Sequence, residues 1–262
     1  MKLFTWRNLR ILILLGILFA VAVHTKGQRL ASTAWITPLN VVILPINADG
    51  SEATDRYIKR LTAATFTPID RFTRREAAKR HLRLDVPTRT TLGPQLYDQP
   101  PSQPTLHGGV IENILWSLRL RYWAWRHTPE GLPGDNLVRM YVLYEQGSAG
   151  RALVHSVGLQ KGLVGIVHAF AEKRQTPQNN IVIAHELLHT VGATDKYDEQ
   201  GEPQFPEGYG HPRQNPLYPQ RRAEIMAVRR ALSETHSEMA ISLRSCVIGD
   251  WTATEIGWSN DE

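Results

Sequence analysis

His185-Glu186-Leu187-Leu188-His189-Thr190-Val191-Gly192-Ala193-Thr194-Asp195 is the stretch of this 262-residue chain from which fold and chemistry are best read. On an α-helix, residues four apart stack on one face, so His185 and His189 can reach a single metal ion. Glu186 neighbours the first imidazole but points elsewhere, which suits a group that handles water beside the metal instead of binding it. Gly192 can adopt positive φ and end the helix within a turn. The reversed chain would then swing the carboxylate of Asp195 back towards the same ion. Two histidines and a carboxylate leave the fourth tetrahedral position of zinc open, as in catalytic sites. With ten histidines in the chain, a chance H-E-x-x-H is on the order of one in fifty, and requiring Gly192 and Asp195 lowers that by roughly a further hundredfold.

The surrounding pattern supports a helix. Asn179 and Asn180 are N-cap candidates, and Ile181, Ile183, Ala184, Leu187, Leu188 and Val191 form an apolar stripe. Upstream, Asn40 to Ile46 reads as a buried strand, and Asp55 to Ala64 and Thr73 to Leu82 as helices, the second opened by a Thr73…Glu76 capping box. Prolines and polar residues from Val86 to Pro104 predict an extended connection. Gly109 to Arg126 predicts a long helix, with Ile111, Leu115, Leu118, Tyr122 and Trp125 at helical spacing. Its Trp116, Trp123 and Trp125 are expected to pack on a sheet, with arginines on the solvated side. Val138 to Tyr144 and Leu163 to Ala171 read as strands, His168 being a strand histidine, and Gly158, Gly162 and Gly165 suit close backbone approach. The order is α/β in the α+β sense, with no internal repeat.

The motif resembles the long zinc-binding consensus of the metzincin metallopeptidases, with Asp195 where most members carry a third histidine. Asp followed two residues on by Tyr, here Tyr197, is similar to the snapalysin-like branch. Glu224-Ile225-Met226-Ala227 is similar to the Met turn beneath the metal in that family. The resemblance implies a zincin-like catalytic domain with a twisted mixed sheet, a backing helix and an active-site helix, its upper part running to about 192 and its lower part over 193–262. It implies one catalytic Zn2+ on His185, His189 and Asp195, Glu186 as general base, and a peptide or protein substrate. It also implies that the strand before the zinc helix, here Leu163 to Ala171, is a sheet edge bordering the cleft. Several members place Tyr two residues after the Met. Val228 stands there, so a role in stabilising the oxyanion falls to another group, with Tyr197, Tyr209 and His211 as candidates. The Pro- and Gly-rich stretch between Asp195 and Met226 is expected to be an ordered loop around the cleft.

Two other readings stay open on the residues alone. One is a membrane-anchored binding or assembly factor with a structural zinc site and no proteolysis, against which the intact Glu186 argues. The other is a zinc amidase acting on a non-protein amide.

The N-terminus bears on location. Lys2, Arg7 and Arg10 precede the apolar run Ile11 to Val23, which as a helix spans about 20 Å, short of the roughly 30 Å hydrocarbon core. That length fits a signal-peptide h-region, while the lack of a clean small-residue cleavage site beyond Ala20-Val21-Ala22 fits an uncleaved anchor. Residues 1–30 are therefore read as signal or membrane anchor, and 31–262 as one catalytic domain. Either way the basic flank predicts a domain outside the cytoplasm. Cys246 is the only cysteine, so the chain forms no internal disulfide. The net charge of +5 comes from scattered residues, and no motif points to nucleic acid.

Overall fold

A computed structural model describes residues 32–104, 109–132, 136–147, 156–160 and 162–258, together with positions 6, 10, 11, 13, 15, 16 and 27. The expected N-terminal signal or anchor thus lies almost wholly outside the described residues. Among the described residues, no helix is long and apolar enough to cross a membrane.

The centre is a mixed sheet built from β1 (Leu39–Asn47), β2 (Thr88–Leu92), β3 (Leu137–Glu145), β4 (Val157–Leu159) and β5 (Val164–Phe170). Its order is β2-β1-β3-β5-β4. The first four of these strands run parallel, and β4 runs antiparallel to β5. The β-branched run Val41, Val42 and Ile43 makes β1 a central strand buried on both faces, as parallel strands covered by helices must be.

Alternation along the strands sorts the core into two layers. Val41 and Ile43 of β1, Met140 and Val142 of β3, and Val167 and Ala169 of β5 face one layer. That layer is closed by Phe66, Ile69 and Phe72 of α2 (Ala63–Ala78) and by Ile181, Ala184, Leu187 and Leu188 of α4 (Thr176–Thr190). Val42, Leu44, Tyr141, Leu143 and Ile166 face the opposite layer, against Leu120 and Ala124 of α3 (Val110–Arg126). A short helix α1 (Glu52–Ile58) follows β1. After α4 come three small ladders and a last helix: β6 (Ala223–Glu224) with β9 (Cys246–Val247), β7 (Arg229–Ala231) with β8 (Ser237–Met239), and α5 (Asp250–Glu255). The architecture is α+β with a mixed sheet.

Several elements differ from their sequence expectation. The helices expected at 55–64 and 73–82 are Glu52–Ile58 and Ala63–Ala78. Ser51 caps the first by accepting the Thr54 N–H at 3.1 Å. The second opens at Thr62, whose N–H donates to Thr65 Oγ1, so Thr73 and Glu76 lie inside it. Glu76 instead is buried beneath Arg75 and Lys79, each 2.8 Å away. The extended connection contains a true strand, β2, because Asp70 collects the Thr90 N–H and the hydroxyls of Thr88 and Thr90. Asn179 and Asn180 do not cap α4, which starts at Thr176 with Pro177 in its first turn. Asn179 bonds both backbone groups of Phe170 in β5, and Asn180 donates to Thr65 O. Both tie α4 to its neighbours.

Two corrections change the picture of the surface. The sheet edge beside α4 is β4, not the expected 163–171 strand, which is interior. On α3, Trp116 and Trp123 pack on the sheet as expected, but Trp125 does not and is 70 % exposed. The stripe Ile111, Leu115, Leu118, Tyr122 also faces outward. The face packed on the sheet is set by Leu120 and Ala124, small enough in sum to let the helix lie close.

Candidate active site

Helix α4 ends in a Schellman turn: Ala193 N–H bonds Leu188 O, and Gly192 N–H bonds His189 O, both at 3.1 Å. Gly192 has φ +110°, a conformation that side chains resist. The turn carries the chain back so that Asp195 meets both imidazoles. Asp195 Oδ1 lies 3.1 Å from His185 Nε2 and 3.1 Å from His189 Nε2, and the two Nε2 atoms are 3.0 Å apart. Among the described residues these three form the group able to hold a metal ion.

The imidazoles are oriented from behind. His185 Nδ1 is 3.1 Å from Ile225 O, and His189 Nδ1 is 2.7 Å from Ala193 O. A carbonyl oxygen only accepts, so each Nδ1 must carry the proton, which leaves Nε2 with a free lone pair. Three lone-pair atoms then converge on one point, an arrangement that repels itself unless a cation or a proton sits among them. Two imidazoles and a carboxylate with ligand atoms this close together are a donor set that could hold a metal ion. The donor set of two imidazoles and a carboxylate therefore fits the expected ion.

Glu186 is buried beside the cluster, its Oε1 3.9 Å from His185 Nε2. Its Oε2 is buried with no hydrogen-bond partner. Burial pushes its pKa up, against the pull of His185, His189 and the Gly158 amide. Burial opposes ionisation of Asp195, yet the flanking His185 and His189 imidazoles hold that carboxylate well below its usual range. His189 is desolvated, but Asp195 and Glu186 outweigh this and raise its pKa.

Of the three oxyanion candidates, Tyr197 alone lies here. Its ring lies 6.3 Å from that of His185 in near-parallel stacking. Burial, then the nearby Asp195, raises its phenol well above the usual value, so it stays a donor. Tyr209 bonds Tyr218 Oη at 2.8 Å, and His211 lines a separate hollow with Glu76, Arg80 and Asp250. His168 sits half-buried in β5.

The loop after Asp195 folds back on the Met226 turn: Lys196 N–H bonds Met226 O at 3.1 Å, and Gln204 N–H bonds Lys196 O at 2.9 Å. Met226 is fully buried in a turn closed by Ala227 and Val228 N–H on Glu224 O. The Glu224 carboxylate accepts from Met226 N–H, from Gly249 N–H at 3.1 Å and from Thr252 Oγ1 at 2.8 Å. The turn is fixed from α2 as well. Arg75 donates to Leu243 O and Cys246 O at 3.0 and 2.7 Å. Cys246 pairs with Ala223, and Ile225 N–H bonds Val247 O.

Sequence reasoning missed three supports. Lys196, almost fully buried, donates to Thr194 Oγ1 and Glu255 Oε1, both at 2.6 Å, and so brackets Asp195. Nothing links Lys196 to Glu255 in a linear reading, 59 residues apart. Ile225 O and Ala193 O are backbone groups without a side-chain signature. The closeness of Gly158 to α4 was legible in kind, since glycine marks close approach, but not in partner: a Cβ there would sit 2.3 Å from Glu186 O and 2.6 Å from His189 Cβ. No protein-family model matches the chain, and no curated protein matches its sequence.

Proposed function

We propose that the chain is a zinc-dependent peptidase of zincin-like, metzincin-type fold, acting outside the cytoplasm. The observation that carries this reading is a single juxtaposition. Three ligand atoms lie 3.0 to 3.1 Å apart with their imidazole tautomers fixed, beside a buried carboxylate with a partnerless oxygen.

His185, His189 and Asp195 would hold the ion, which when bound supplies Lewis acidity and lowers the pKa of water at the site. Glu186, its pKa raised by burial, takes the proton of the attacking water and passes it to the leaving amine. Tyr197, kept protonated and stacked beside His185, is of the three candidates the one near enough to serve the developing oxyanion. Strand β4 borders the cluster, with Gly158 against Glu186 and His189. Its outer edge has no strand partner among the described residues, so an extended peptide can add to it by main-chain hydrogen bonds. The apolar run Ile11 to Val23 supports an extracytoplasmic address, as anchor or signal.

The test is zinc content by mass spectrometry alongside turnover of an unfolded protein substrate. Wild type is expected to bind one zinc and cleave, and Glu186→Gln to bind zinc without cleaving. Equal turnover by the two proteins would refute the role of Glu186. Zinc binding with hydrolysis of a non-peptide amide, and none of protein, would move the reading to an amidase.

A further inference from the structure

The outward face of α3 carries a run of exposed large apolar side chains. Val110, Ile111, Ile114, Leu115, Leu118, Tyr122 and Trp125 are between 48 and 77 % exposed. A continuous run of exposed apolar side chains along one helix face is the kind of surface that marks an interaction site. At 3.6 residues per turn, Leu118, Tyr122 and Trp125 fall within roughly 60° of arc, with Arg121 to one side and Arg119 and Arg126 to the other. The rings of Tyr122 and Trp125 lie 6.0 Å apart on this face. Among the described residues no ion pair holds any of the three arginines. Glu112 is the one acidic residue of the helix.

We propose that this face of α3 docks on a lipid surface bearing anionic headgroups. An apolar centre with aromatic rings and arginines on both borders is the pattern of a helix that lies in the membrane interface, side chains in the acyl boundary and guanidinium groups at the phosphates. The charge pattern chooses among occupants. A second copy seated on the same face would bring basic border against basic border, since a two-fold contact repeats one patch on both sides. Anionic headgroups complement both borders at once. Because α3 and α4 cover opposite faces of the sheet, docking through α3 turns the His185–Glu186 side away from the bilayer. The site would then work on what stands above the membrane. This inference is independent of the peptidase reading.

The test uses the full chain. Leu118→Cys is labelled with a polarity-sensitive fluorophore, Cys246 being buried and unreactive in the folded protein. Glu234→Cys, exposed in the segment between β7 and β8, is the control. The labelled proteins are added to phosphatidylcholine vesicles, alone or with about one third phosphatidylglycerol. On the anionic vesicles the label at 118 should shift to the blue and be quenched by lipids spin-labelled near the headgroup, while the label at 234 stays water-like. Each arginine contributes about fivefold to docking, so changing Arg119, Arg121 and Arg126 together to Gln should lower the docked-to-free ratio on the order of a hundredfold. A water-like label at 118 on vesicles that carry the protein down in sedimentation would overturn the proposal. So would equal docking on both vesicle types, or a blue shift that needs protein concentration and no lipid, the mark of a second copy.

Discussion

Replacing Gly158 by Ala adds one methyl group where strand β4 lies against the active-site helix. That carbon would sit 2.3 Å from Glu186 O and 2.6 Å from His189 Cβ. Both are fixed points, a helix carbonyl and the first side-chain carbon of a helix residue, so the strand must retreat by roughly 1 Å to reach van der Waals contact. Overpacking of this kind costs about 1–3 kcal/mol. The low end is expected, because β4 is a three-residue edge strand whose residues are only half-buried, and it yields more easily than α4. For a domain of this size that is a fall in Tm of about 2–5 °C. The effect on chemistry is larger. Gly158 N–H faces Glu186, and if the chain is the proposed peptidase, with β4 pairing substrate, a misplacement of about 1 Å can cost on the order of a hundredfold in rate. Zinc affinity should stay within a few-fold of wild type, since the ligands are held by Ile225 O, Ala193 O and the Gly192 turn.

Differential scanning calorimetry, zinc competition and turnover on one protein substrate measure the three quantities. Gly109→Ala is the control, a glycine with open space around its added carbon. If Gly158→Ala matched wild type in Tm and turnover, the approach of β4 to α4 described above would be wrong. If it lost zinc as well as turnover, β4 would be holding the ligands and not the substrate.

Gly192→Ala forces a side chain to φ +110° and brings its Cβ within 2.8 Å of Gln160 Nε2. It should cost about 1–3 kcal/mol and, by moving Asp195, roughly ten- to a hundredfold in zinc affinity. Unchanged affinity in a chelator competition would show that Asp195 reaches the site without this turn. Zinc at about a hundred times its Kd should stabilise the folded chain by about 2.7 kcal/mol, and His189→Ala should lose that gain. A Tm indifferent to both zinc and chelator would remove the metal site. Burial works against ionisation of Glu255, but its bonds to Lys196 and Thr194 prevail and lower its pKa from 4.5. Its contribution is therefore present above pH 4.5 and lost as pH falls through the lower folded value. Glu255→Gln should weaken the protein at neutral pH and flatten that acid limb, as followed by urea unfolding across pH, and an unaltered profile would contradict the bracket on Asp195.

What could be read from sequence was what repeats along one element. The i,i+4 pair His185 and His189, the Gly192 stop and the return of Asp195 are local, and the structure brings those residues together. Strands β1, β3 and β5 of the central sheet were legible for the same reason, as β-branched runs a few residues long. Helix starts were less so: Thr73…Glu76 has the form of a capping box, yet Glu76 is spent on a buried ion cluster with Arg75 and Lys79. Periodicity located α3, and Trp116 and Trp123 pack as expected, but Trp125 and the stripe Ile111, Leu115, Leu118 and Tyr122 face outward, the packed face being set by Leu120 and Ala124. Only the presence of the sheet decides which stripe is covered. Strand β4, three residues with a central glycine, carries no strand signal at all and exists through its pairing with β5.

The path from Arg75 to His185 has a consequence for how this site tolerates change. It runs from a guanidinium through the Cys246 carbonyl, across the β9–β6 ladder to Ile225, whose carbonyl holds the His185 imidazole. Past the arginine, every link is main chain. Side chains at 223, 225, 246 and 247 are thus free to drift in identity so long as they fill the same volume, while the aim of the first ligand stays constant. The dependence is concentrated at its far end, where Arg75, on a different helix, acts as the plumb line for the His185 imidazole.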